Sequence, residues 1–70
     1  MRLDAPIDIE TAPDGKPAAI TWKGTRYPVR VLRTWEGRVH RISTTLQGRP
    51  AIGEIEQDGA RGTLRRWWTS

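Results

Sequence analysis

An all-β domain is what this sequence predicts, and three observations predict it. From Ala18 onward, apolar and β-branched residues alternate with polar ones. Gly-containing turn signals punctuate these runs every six to twelve residues. No stretch shows a 3.6-residue apolar period or a capping box ahead of one. The expected outcome is a five-stranded antiparallel meander. A sheet that small must curl to bury one face, as a small SH3-like barrel or a curled open sheet.

Residues 1–17 read as an acidic, Pro-rich leader ahead of a β domain at 18–70. The leader holds Pro6, Pro13 and Pro17 and four of the eight acidic residues. Residues 1–6 are expected to be disordered, and Ile7 and Ile9 alternate enough for one short edge strand. Ala12-Pro13-Asp14-Gly15-Lys16-Pro17 is a turn by composition.

The first strand of the meander places Ala18, Ile20 and Trp22 on one face and ends at a Gly24-Thr25 turn. Arg26 to Trp35 is the longest alternation, with Tyr27, Val29, Val31, Arg33 and Trp35 sharing a face. Pro28 lacks a ladder donor, which confines it to an edge, a bulge or a strand start. After Glu36-Gly37, Arg38 to Gln47 aligns His40, Ile42, Thr44 and Leu46. Gly48-Arg49-Pro50 breaks the pattern. Ala51 to Gln57 follows, with Gly53 marking a bulge. Asp58-Gly59 signals a type I′ hairpin, and Thr63 to Trp68 is the last strand. The predicted core is Ile20, Trp22, Tyr27, Val29, Val31, Ile42, Leu46, Ile55 and Leu64, with one of Trp67 and Trp68.

Composition narrows the function. Seventy residues allow one domain and only a small core. With no cysteine there is no disulfide and no thiolate metal site or nucleophile. No apolar run resembles a signal peptide or a membrane span, so a soluble cytoplasmic protein is expected. Charge is uneven. Residues 1–14 carry one Arg and four acids, net −3; residues 15–70 carry eleven basic and four acidic side chains, net +7. Ten of the twelve basic residues are Arg, which suits bidentate phosphate contacts and stacking, although GC-rich coding produces the same bias.

Catalytic constellations are weak. His40 is the single histidine; Ser43 lies on the opposite strand face, and Thr44 is about 13 Å away at ~3.3 Å per residue. Glu54, Glu56 and Asp58 lack the oxygen-rich spacing of a calcium loop and read as a solvated face meeting Arg65 across a hairpin. No phosphate loop is present. No enzyme, metal or cofactor is implied. What rises above background is the basic and aromatic pattern: Lys23, Arg26 and Arg30 on the first hairpin, and Arg65-Arg66-Trp67-Trp68 at the end, with one Arg and one Trp on each face of the last strand. Cations that track phosphates beside rings that stack on bases are the chemistry of a nucleic-acid site, with DNA favoured. The same Trp and Arg residues are preferred protein-interface anchors. The competing expectation is therefore a protein partner or a homodimer, formed through one exposed Trp of the final pair and the edge strand near Pro28. The plain structural reading is that Trp fills the core and Arg keeps the surface wet.

Pro17, Ile20, Trp22, Lys23, Gly24, Tyr27 and Val29 together form an apolar-x-Trp-basic-Gly-x-x-Tyr-x-Val pattern. It resembles a small uncharacterised domain found in free-standing actinobacterial proteins and at the tail of ImuB-type relatives of Y-family DNA polymerases. The resemblance spans about residues 14–35. Residues 38–70 are shorter than in that family and end in Arg65-Arg66-Trp67-Trp68 rather than a Tyr-rich strand. The resemblance implies an accessory module in DNA repair or replication and brings no catalytic residues.

Overall fold

The structure, a computed structural model, describes residues 2–69. Seven strands make one antiparallel sheet: β1 Arg2–Thr11, β2 Pro17–Trp22, β3 Thr25–Pro28, β4 Arg30–Trp35, β5 Val39–Leu46, β6 Arg49–Asp58 and β7 Arg61–Thr69. Their order is β3-β2-β1-β7-β6-β5-β4. β3 and β4 lie at opposite edges yet follow one another directly, so the sheet must curl strongly, into a half-barrel. Its edges approach where β2 nears β4 and β3 nears β5. Val29 N–H donates to the Ala18 carbonyl at 2.9 Å, and the Thr44 hydroxyl donates to the Pro28 carbonyl at 2.7 Å.

Seven strands replace the expected five for two reasons. The run from Arg26 to Trp35 is two strands, because it changes partners at Val29. Pro28 ends the ladder with β2, and from Arg30 the chain pairs with β5. The leader supplies the other strand. Residues 2–11 form β1, which lies inside the sheet between β2 and β7 rather than as disordered chain or a short edge. Ile7 and Ile9 are buried, and each such burial contributes about 1.5–3 kcal/mol. Met1, the first residue of the expected disordered stretch, lies outside the described residues. Pro6 is tolerated because the β1–β2 ladder begins only at Asp8. Ile9 N–H points to Ala60 of the β6–β7 turn, so strand alternation directs the absent Pro6 donor to the other, open side.

Turn chemistry corrects several boundaries. Lys23-Gly24, Glu36-Gly37 and Gln47-Gly48 each pair a first residue at φ 50–54° with a glycine at φ 73–77°. Both central residues are left-handed, as a type I′ hairpin requires. The first turn is thus Lys23-Gly24, not Gly24-Thr25, and Arg49 and Pro50 open β6 instead of breaking the chain. Asp58 pairs with Arg61, so the last turn centres on Gly59-Ala60, with Gly59 at φ 64°, and not on a type I′ Asp58-Gly59.

Ile20, Ile42, Ile55 and Leu64 are buried as expected, with Trp67 as the buried member of the final pair, and Ile7, Ile9 and Ala51 join them; Trp22, Tyr27, Val29, Val31 and Leu46, also expected in the core, are half-buried at its edge. Two bulges decide which side chains reach it. On β7, Leu64 pairs with Ile55 and Arg66 with Glu54, leaving Arg65 extra. Leu64 and Trp67, three residues apart, are both buried, while Arg65 and Arg66 both reach outer-face glutamates. On β4, Val31 pairs with Ile42 and Arg33 with Arg41, leaving Leu32 extra. This moves Arg33 and Trp35 off the face of Val31. Strict alternation misplaced both segments for want of the extra residue.

Gly53 is not itself a bulge. It pairs regularly with Trp67, whose ring lies across it: a Cβ at position 53 would stand 2.6 Å from Trp67 Cε3. Gly53→Ala should therefore destabilise the domain by about 1–3 kcal/mol through overpacking. Urea denaturation should show a lower midpoint with an unchanged slope.

Candidate nucleic-acid interface

His40 is fully buried, and its ring is committed to the fold. Gln57 Nε2 donates to the carbonyls of Gly15 and Gly59, at 3.2 Å each, which turns Gln57 Oε1 toward His40 Nε2 at 2.8 Å. His40 Nε2–H is then the donor, and Nδ1 accepts from the Thr34 hydroxyl at 2.9 Å. Gln57 N–H also donates to the Arg38 carbonyl at 2.7 Å, so one side chain and its backbone join three turns at one end of the sheet. Ser43 stands on the outer face, level with Ile52 and Trp68.

The residues expected to form one basic face divide between two places. Arg26, on β3, is held by Glu10 of β1 through a bidentate contact, Nε to Oε2 at 2.7 Å and Nη2 to Oε1 at 3.2 Å. Lys23 lies in the β2–β3 turn, its ammonium 4.9 Å from the Trp22 ring centroid. It borders an open notch of about 310 Å³ with Pro6, Asp8 and Arg61, where β1 runs past the end of β2. Trp67 is buried and belongs to the core, 5.8 Å from Trp22 and 6.2 Å from Tyr27 between ring centroids. Arg30, Arg65, Arg66 and Trp68 remain together on the outer face of β4–β7.

That face contains more than the sequence suggested. Residues directly opposite in an antiparallel pair share a face. One row across four strands is therefore Arg33, Arg41, Glu54 and Arg66, and a neighbouring row is Arg30, Ser43, Ile52 and Trp68. Trp35 is level with Val39 and Trp68 with Ser43, two residues before and two after Arg41 on β5. The Arg41 guanidinium thus lies between the two rings, 5.5 Å from the Trp35 centroid and 5.7 Å from that of Trp68. Arg33 sits 4.9 Å from Trp35. Arg41 Nε is buried without a hydrogen-bond acceptor, and the ring faces supply its electrostatic partner.

Acidic residues are set into the same surface. Glu54 Oε2 accepts from Arg41 Nη2 at 3.1 Å, while its Oε1 lies 3.9 Å from Arg66 Nε. Arg65 is 3.6 Å from Glu56, the cross-hairpin pairing anticipated for these strands. Five arginines against two glutamates leave the face cationic. Arg33, Trp35, Arg41 and Glu54 were missed as site residues because each assignment depends on the β4 bulge or on a partner two strands away. The Arg33-x-Trp35 spacing, once Leu32 is known to be extra, is the one local signal. Comparison with protein-family models, curated proteins and solved structures finds no match to this chain.

The Glu10–Arg26 pair has a measurable pH signature. The hydrogen bonds from Arg26 hold the Glu10 carboxyl below its ordinary value of 4.5. A carboxylate lowered on folding stabilises the fold above that ordinary value, and the contribution fades as pH falls through the lowered one. Both side chains are exposed, so global stability should barely follow the titration. In a carboxyl NMR titration, Glu10 should have a lower midpoint in the native protein than in Arg26→Ala.

Proposed function

We propose that this protein is a non-enzymatic binding module that holds nucleic acid on the outer face of β4–β7. One observation carries the reading: Arg41 lies between Trp35 and Trp68, with Arg33 and Arg66 in its cross-strand row. Guanidinium groups give phosphate contacts, and the flanking rings give stacking surfaces. The site therefore consists of Arg30, Arg33, Arg41, Arg65, Arg66, Trp35 and Trp68. Lys23 and Arg26 lie on the other half of the sheet and take no part. The curled antiparallel sheet is compatible with the small SH3-like barrel class. The resemblance of the β2–β3 hairpin to the tail of ImuB-type polymerases supports a setting in DNA repair or replication.

A second reading has its own observation. Leu32, the extra residue of the β4 bulge, is 51% exposed on an edge strand, three residues before Trp35. An exposed leucine beside Trp and Arg suits a protein partner or a second copy of the chain. Salt separates the two readings. Phosphate contacts weaken steeply between 50 and 200 mM salt, and an apolar contact barely changes.

The double variant Arg33→Ala/Arg66→Ala should lower DNA affinity at least tenfold. It should also reduce the slope of log affinity against log salt by about 1.4, at roughly 0.7 per contact with a single strand. Lys23→Ala/Arg26→Ala should leave both unchanged. Fluorescence anisotropy of labelled DNA across a salt series measures both quantities, and loss of binding in the second variant would move the site to the hairpin.

A further inference from the structure

We infer that the ligand of this face is single-stranded nucleic acid, and that Glu54 is a resident anion with which its phosphates compete. This rests on the nucleic-acid reading above and specifies its substrate and its control.

Shape is the first argument. The face is the convex side of a strongly curled sheet in a molecule of 27 × 21 × 19 Å. A convex surface meets a rigid duplex along a line and reaches few phosphates. Entering the groove is no better. Four strands at about 4.8 Å spacing span about 14 Å, whereas the major groove is about 12 Å wide. A flexible single strand can follow the curvature.

The rings make the second argument. Trp68 is 36% exposed, with Arg41 on one side. A base can use the open part of that ring only if it has left its own stack. Trp35 and Trp68 stand on opposite sides of Arg41, so their centroids are at most about 11 Å apart. Trp35 is covered by both Arg33 and Arg41, so Trp68 is the platform open to an unstacked strand, and rings held apart by a guanidinium do not match a duplex, whose bases pile at about 3.4 Å.

Glu54 explains how such a surface stays occupied without ligand. Its carboxylate bridges Arg41 and Arg66 from a largely buried position, the side chain being 20% exposed against 61% for Arg66. A phosphate arriving at Arg66 meets this negative charge at once. Binding at Arg66 therefore works against the nearby carboxylate, which lowers affinity and keeps the complex reversible.

Anisotropy titrations of the full chain at 50 mM salt test this, using a labelled 12-nucleotide thymidine oligomer and a labelled 12-base-pair duplex. The oligomer should bind at least tenfold more tightly than the duplex. Trp68→Ala should weaken oligomer binding about tenfold or more, with duplex binding unaffected. Glu54→Gln should tighten oligomer binding several-fold. Circular dichroism of both variants verifies that the sheet is intact. Equal or tighter duplex binding, or a Trp68→Ala variant that binds the oligomer like the native chain, would overturn the single-strand assignment. Unchanged or weaker oligomer binding by Glu54→Gln would overturn the competition. If the duplex binds as tightly as the oligomer and Arg33→Ala/Arg66→Ala abolishes both, the nucleic-acid reading survives alone. If neither the native chain nor Glu54→Gln binds either probe, both fail.

Discussion

The extra residue at Arg65 is the constraint on which the rest of the molecule depends. It lets β7 direct Leu64 and Trp67 inward while Arg65 and Arg66 stay outside. Trp67 then crosses the bare backbone of Gly53 and meets Trp22 and Tyr27, which come from β2 and β3. One ring thereby joins two parts of the sheet that share no ladder, and the sheet curls around it. Truncating a buried Trp costs about 3–5 kcal/mol, which is comparable to everything a core of this size supplies. Without the bulge, Trp67 would face solvent and Arg66 would enter the core.

The same device shapes the surface. An inserted residue reverses alternation, so each bulge both fills the inside and doubles the charge or bulk outside. On β4 it turns Arg33 and Trp35 outward, and on β7 it sets Arg65 beside Arg66. Cross-strand neighbours then assemble a row of guanidinium groups, carboxylates and rings from four strands. The isolated ion pairs in it contribute little to stability in water. The Trp–Arg41–Trp arrangement is stronger, because a partly desolvated cation on a ring face gains about 0.5–2 kcal/mol per contact. Fold and candidate site share the residues of β7: Trp67 belongs wholly to the core, and Trp68, the next residue, lies wholly outside it.

Polar groups inside this small core are all the more consequential. His40 and Gln57 are tied to Thr34 and to the turns at Gly15, Arg38 and Gly59. A satisfied network of this kind can be buried at modest cost, whereas losing one partner leaves a donor or acceptor unpaired at about 1–3 kcal/mol. The histidine that a search for catalysis singles out is therefore a structural member, held by a glutamine whose partners lie as many as 42 residues away.

Alternation and turn residues determined the all-β class, the antiparallel order of the hairpins and the centre of the core, because a period of two and the φ demands of glycine are local properties. Ile20, Ile42, Ile55 and Leu64 could be placed from the sequence for that reason. Strand number was not legible: whether the chain changes partners after Pro28, and whether Ile7 and Ile9 find a sheet to join, depend on segments far away in sequence. The candidate site was half legible. Arg30, Arg65, Arg66 and Trp68 stood out as basic or aromatic residues on strands, but Lys23 and Arg26 could not be separated from them, nor Trp35 and Arg41 added. Composition and period alone decided that this chain would make a basic, Trp-bearing β domain. Tertiary structure decided which face each Arg and Trp would occupy, because a bulge is set by the register between two strands and one extra residue exchanges inside for outside.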